Sequence, residues 1–126
     1  MPYHVSKVVF ERLVERAIAG LPEQFREALE EVPIEIRGRP TPEQLSDAGL
    51  EDDELLLGLY VGVPLTERST ADSGRLPDRI FIFQEDCELV SENEKQLVTE
   101  VRTTVFHELG HYFGMSEDAL DELGYG

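Results

Sequence analysis

The chain has 126 residues, 27 acidic against 11 basic, and a net charge of −16; this length forms one domain around a single core, and this charge repels phosphate backbones and anionic lipid. Nucleic acid and membrane surfaces are therefore excluded as partners, and no stretch is apolar over the roughly 20 residues that a bilayer-spanning helix requires. The one cysteine, Cys87, permits neither an internal disulfide nor a paired-cysteine metal or redox site, and the charged amphipathic start at Met1-Pro2-Tyr3-His4 lacks a secretory pattern, so the reading is a cytoplasmic protein with one domain over residues 1–126.

Phe10, Leu13, Val14, Ala17, Ile18 and Leu21 recur at helical spacing and predict a first helix over residues 5–19, stopped by Gly20. Pro22 opens a second helix, whose apolar face Phe25, Ala28, Leu29 and Val32 runs until Pro33 ends it. The alternation in Ile34-Glu35-Ile36-Arg37 predicts a half-buried strand, after which Thr41 caps a short helix beginning at Pro42. The acidic run Glu51-Asp52-Asp53-Glu54 reads as a solvated loop.

From Leu55 to Val63 the chain is almost continuously apolar and carries Gly58 and Gly62, which predicts a strand covered on both faces or approached closely by other backbone. Residues 64–78 are rich in Pro, Gly, Ser and Thr and read as the longest loop, and Arg79-Ile80-Phe81-Ile82-Phe83 as a third strand. A short polar link then leads to a long helix from about residue 92 to about 113, opened by a capping box at Ser91-Glu92-Asn93-Glu94.

That helix carries His107-Glu108-Leu109-Gly110-His111. Two histidines four apart rise from one helical face and can hold one Zn²⁺, while Glu108 beside them can take a proton from water that the metal activates. Leu97, Val98, Val101, Val105, Leu109 and Tyr112 form the opposite, apolar arc, so the helix buries one side and presents both histidines to a cleft. A tetrahedral site needs a third protein ligand. Gly114 lies three residues beyond His111, where a positive φ lets the backbone leave the helix, and Glu117 lies three further on, with Asp118 next to it. The spacing favours Glu117 as the ligand and leaves Asp118 as the alternative; Ser116 reads as the N-cap of a final helix, whose dipole also favours acids in its first turn.

The stretch His107 to Glu117 resembles the HExxHxxGxxD pattern of the Asp-type zincins, with Glu in place of the usual Asp. The chain as a whole is similar to a small bacterial family of minimal zincin metallopeptidases, in the motif and in Gly58-Leu59-Tyr60, Gly62-Val63-Pro64-Leu65-Thr66-Glu67-Arg68 and Leu76-Pro77-Asp78-Arg79-Ile80. The resemblance implies an α+β fold with helices packed on a small mixed sheet, His107 and His111 as zinc ligands and Glu108 as general base. The activity expected is hydrolysis of a peptide or protein substrate; the alternative is a zincin-shaped module that binds a peptide or protein without cleaving it. Tyr60, Arg68, Arg75 and Tyr125 are residue types able to stabilise an oxyanion, and the sequence places none of them in the cleft.

Overall fold

The structure is a computed structural model, and it describes residues 2–65 and 78–122. Much of the loop expected over residues 64–78, with Arg68 and Arg75, and the C-terminal Tyr125 therefore lie outside the described residues.

Ser6 accepts the Val9 N–H and starts α1 (Lys7–Ala19), which Gly20 closes. Its buried stripe, Phe10, Leu13, Val14 and Ala17, is the one the spacing predicts. α2 (Glu23–Ala28) follows Pro22, and ends sooner than its apolar pattern suggests: from Ala28 to Val32 the chain continues in tight turns, which still bury Val32 completely. β1 (Ile34–Arg37) and α3 (Pro42–Asp47) are as expected, α3 with a reciprocal Thr41–Gln44 capping box.

The sheet has order β1-β3-β2, with β3 (Arg79–Phe83) parallel to β1 and antiparallel to β2 (Gly58–Val61). Ile80 and Ile82 enter the main core, whereas Phe81 and Phe83 stack on the opposite face at 6.2 Å, with the Arg37 and Arg79 guanidinium groups over the Phe81 ring. The apolar run Leu55–Val63 contributes only four residues to β2; Leu59 and Tyr60 are only half-buried and Val61 is exposed, so the strand is not covered on both faces, and among the described residues it lies at one edge of the sheet. The close-approach reading does hold at Gly58, where a Cβ would sit 2.5 Å from Thr104 Cγ2 and 3.0 Å from the Phe81 carbonyl oxygen. The long helix that carries Thr104 thus packs tightly under β2.

Two expectations about the segment after β3 are corrected. The supposed polar link is a helix, α4 (Gln84–Leu89), and it buries two acids, Asp86 and Glu88, along with Cys87. The long helix α5 spans Glu94–Tyr112 and is capped by Asn93, whose side chain accepts the Gln96 N–H. Ser91 does not take part in a capping box, because its hydroxyl is buried and donates to the Cys87 carbonyl at 2.9 Å, tying off the end of α4. Cys87 is fully buried, and burial, followed by its acidic neighbours, pushes the thiol up to about 12, so it is an inert core residue.

Glu88 fastens the start of the chain to α4. Its carboxylate accepts the Val5 N–H at 3.0 Å and the Gln84 amide at 3.1 Å, and lies 3.2 Å from His4 Nδ1. Burial alone would raise this carboxyl, but those hydrogen bonds outweigh it and hold it below its ordinary 4.5. A carboxyl depressed in the folded state contributes stability above the unfolded value, and that contribution is lost as the pH falls through the folded value. Glu88→Gln should accordingly cost about 2 kcal/mol at pH 7, and urea unfolding of parent and variant should show the difference shrinking at pH 3. A gap that is equal at both pH values would mean that the charge of Glu88 plays no part.

Candidate metal centre

α5 packs against α1 on one side and against β2 and β3 on the other, so its register fixes the site. Leu97, Val101, Val105, Phe106 and Leu109 are completely buried, which leaves His107 and His111 on the partly exposed face, with side-chain exposures of 28% and 42%. Their rings meet edge to face, with centroids 5.1 Å apart.

The helix ends in a glycine-reversed turn. Gly114 has φ +77, its N–H bonds back to the His111 carbonyl at 3.0 Å, and the Met115 N–H reaches the Gly110 carbonyl at 2.8 Å. Ser116 then caps α6 (Glu117–Glu122) by accepting the Ala119 N–H. α6 returns across the end of α5 because Gly110 leaves a notch that Leu120 fills: a Cβ at Gly110 would lie 2.5 Å from Leu120 Cδ2, and Leu120 is completely buried. Gly110, in the middle of the motif, is thus the seat for the helix that carries Glu117. The sequence reading assigned Gly110 no contact.

The return places Glu117 Oε1 3.0 Å from His107 Nε2 and 3.8 Å from His111 Nε2. Ligand atoms of His107, His111 and Glu117 all lie within 4.8 Å of one another. Around a tetrahedral zinc with bonds of 2.0 to 2.1 Å, neighbouring ligand atoms stand about 3.4 Å apart, so these side chains fit the ion with small rotamer changes. Two imidazoles and a carboxylate are also a donor set that zinc takes, with a fourth position left open. Asp118 occupies the next position on α6 and is not part of the cluster.

Glu108 stands beside the triad without joining it. Its Oε1 accepts the Tyr60 N–H at 2.9 Å, and since alternate amides of an antiparallel edge strand point outward, this N–H faces α5 rather than β3. Burial lifts the Glu108 carboxyl above 4.5, while His111, the Tyr60 N–H and His107 pull it down and Glu117 adds to the rise. A carboxyl lifted by burial and oriented by one fixed donor has the form of a general base. The sequence signalled Glu108 but not the backbone amide that aims it.

A cleft of about 400 Å³ opens here, lined by Leu59 and Tyr60 of β2, Gly62 and Pro64 just after it, and Glu108 and His111 from α5. Tyr60 lines this cleft, but its hydroxyl donates to Asp78 Oδ2 at 2.8 Å and its ring meets Tyr112 edge to face. Of the four oxyanion candidates it is the one within the described residues.

Residues 29–126, more than three quarters of the chain, match a family described as zincin-like metallopeptidase. The chain is also similar to a conserved hypothetical protein from Thermo thermophilus, whose solved structure aligns with a TM-score of 0.55 and 24% sequence identity over 94% of this chain and 97% of that one. This likeness bears on the fold alone. No curated protein matches.

Proposed function

The chain belongs to the zincin-like metallopeptidase family, and on that premise we propose that it is a zinc-dependent peptidase with His107, His111 and Glu117 as the ligands and Glu108 as the general base. The observation that carries this reading is the division of labour in the cleft. Three donors converge on one point, while a second carboxylate, that of Glu108, is held apart by a backbone amide at the edge of the same cleft.

Nε2 of each histidine and Oε1 of Glu117 would hold the metal. Bound there, zinc polarises a carbonyl and lowers the pKa of a water to about 7. The Tyr60 N–H fixes Oε1 of Glu108 and leaves Oε2 to take up a proton and return it to the departing amine. β2, an edge strand among the described residues, runs beside α5 and can align an extended peptide by strand addition through outward backbone groups other than those of Tyr60, whose N–H is held by Glu108. Among the described residues no helix is long and apolar enough to cross a membrane.

Protein purified without chelator should carry one zinc per chain by mass spectrometry under non-denaturing conditions, and the zinc-loaded protein should cleave members of a peptide library. No metal bound after zinc addition at neutral pH would remove the ligand assignment. Zinc bound without cleavage would transfer the fold to the alternative, a module that captures a peptide or protein without hydrolysing it.

A further inference from the structure

A second, smaller pocket of about 220 Å³ adjoins the candidate site on the side away from His111. It shares Leu56, Gly58 and Glu108 with the larger cleft and opens on His107, so whatever lies along β2 passes over both. Leu56, Leu57 and Gly58 form one wall, Thr103 and Thr104 the other, and Glu100 stands at the end. Glu100 is partly buried on the histidine face of α5 and, among the described residues, its carboxylate makes no hydrogen bond or ion pair. A carboxylate left unpartnered at the end of an aliphatic trough matches a side chain with an apolar stem and a cationic head.

We infer that this pocket is a subsite for a lysine or arginine side chain of the substrate, with Glu100 as the residue that selects it. The inference rests on the peptide-binding cleft of the preceding reading. Leu56 and Leu57 cover the methylene stem, the threonine hydroxyls accept from the head group, and the Glu100 carboxylate forms the charge-assisted bond. Seven residues of helix separate Glu100 from His107, about 10 Å at a rise of 1.5 Å per residue. An extended peptide advances about 3.3 Å per residue, so the selected side chain lies within about three residues of the bond at Glu108. The net charge of −16 acts in the same direction, drawing cationic peptides toward the protein at low salt.

The test is binding, measured separately from turnover. Fluorescent peptides in which lysine, norleucine or glutamate is placed at each position in turn are titrated into zinc-loaded protein carrying Glu108→Gln. Lysine should exceed norleucine by about tenfold at one position, the usual order for a charge-assisted hydrogen bond, and the margin should narrow with added salt. With Glu100→Gln added, the ratio should fall to about one, and with Glu100→Arg glutamate should become the preferred residue. Equal affinity for lysine and norleucine at every position, a ratio that Glu100→Gln does not move, or no binding of any peptide overturns the assignment. Cleavage by protein with Glu108 intact reports on the peptidase reading separately: cleavage without a basic preference removes this subsite alone, and a Glu100-dependent preference without cleavage removes the peptidase alone.

Discussion

Glu108→Gln should lower the rate of peptide cleavage by at least about a hundredfold, the order expected when a positioned acid or base is removed, while zinc affinity stays near that of the parent. The two halves of this result have different structural origins. In the proposed assignment zinc affinity belongs to His107, His111 and Glu117, whose donors form a cluster that does not include Glu108. Catalytic rate is assigned in the same proposal to a carboxylate whose Oε1 is occupied by the Tyr60 N–H at 2.9 Å and whose other oxygen is left for the proton. Glutamine keeps the shape and can still accept from Tyr60 through its own oxygen, but the amide that replaces the second oxygen cannot take up a proton at neutral pH. Steady-state cleavage of one peptide, together with zinc titration against a competing chelator, separates the two quantities. Equal turnover by parent and variant would remove Glu108 from the chemistry, and a parallel loss of zinc would make it a ligand instead of a base.

The parts of the fold that were legible in the sequence are those in which one strong local pattern meets no competitor. The apolar stripes of α1 and α5 recur over several turns, and their buried residues are the ones the spacing predicts. Ile34–Arg37 and Arg79–Phe83 are bounded by turn residues and form β1 and β3. α4 was hidden because its sequence, Gln-Glu-Asp-Cys-Glu-Leu, looks solvated, and its burial depends on partners far away in the chain: Asp86 accepts the Leu56 N–H and Glu88 accepts the Val5 N–H. The start of α5 was misplaced by two residues for a related reason. Ser91 and Asn93 are both good caps, and the choice between them is made by the Cys87 carbonyl, which takes the Ser91 hydroxyl. β2 was read as too long because an apolar run does not reveal whether it is covered by a sheet or ends at an edge. Within the candidate site, the motif named residues that the structure brings together, but two backbone features were invisible: the Tyr60 amide aimed at Glu108, and the notch at Gly110 in which Leu120 seats α6.

That seat favours Glu117 over Asp118 as the proposed third ligand. Glu117→Ala should weaken zinc binding by at least about a hundredfold, since even residues that merely orient a ligand cost 10- to 100-fold when removed, whereas Asp118→Ala should leave it nearly unchanged. Once Gly114 has reversed the backbone at φ +77 and Ser116 has capped α6, the directions of Glu117 and Asp118 follow from where Leu120 docks. Glu117 is then turned toward both histidines, at 3.0 and 3.8 Å. Asp118 lies one helical step on, about 100° around the axis, and its carboxylate is one methylene shorter. It would have to overcome that rotation with less reach, and the docked helix cannot turn to help it without lifting Leu120 from the core. What Asp118 supplies is a negative charge in the first turn of α6, which is favourable there by about 0.3 to 1 kcal/mol, so its removal should appear as a small loss of thermal stability rather than of metal. Zinc titrations of the two alanine variants against a chelator measure the order directly. The reverse order would give the ligand to Asp118 and require α6 to be seated one step differently from the arrangement in which Gly110 meets Leu120.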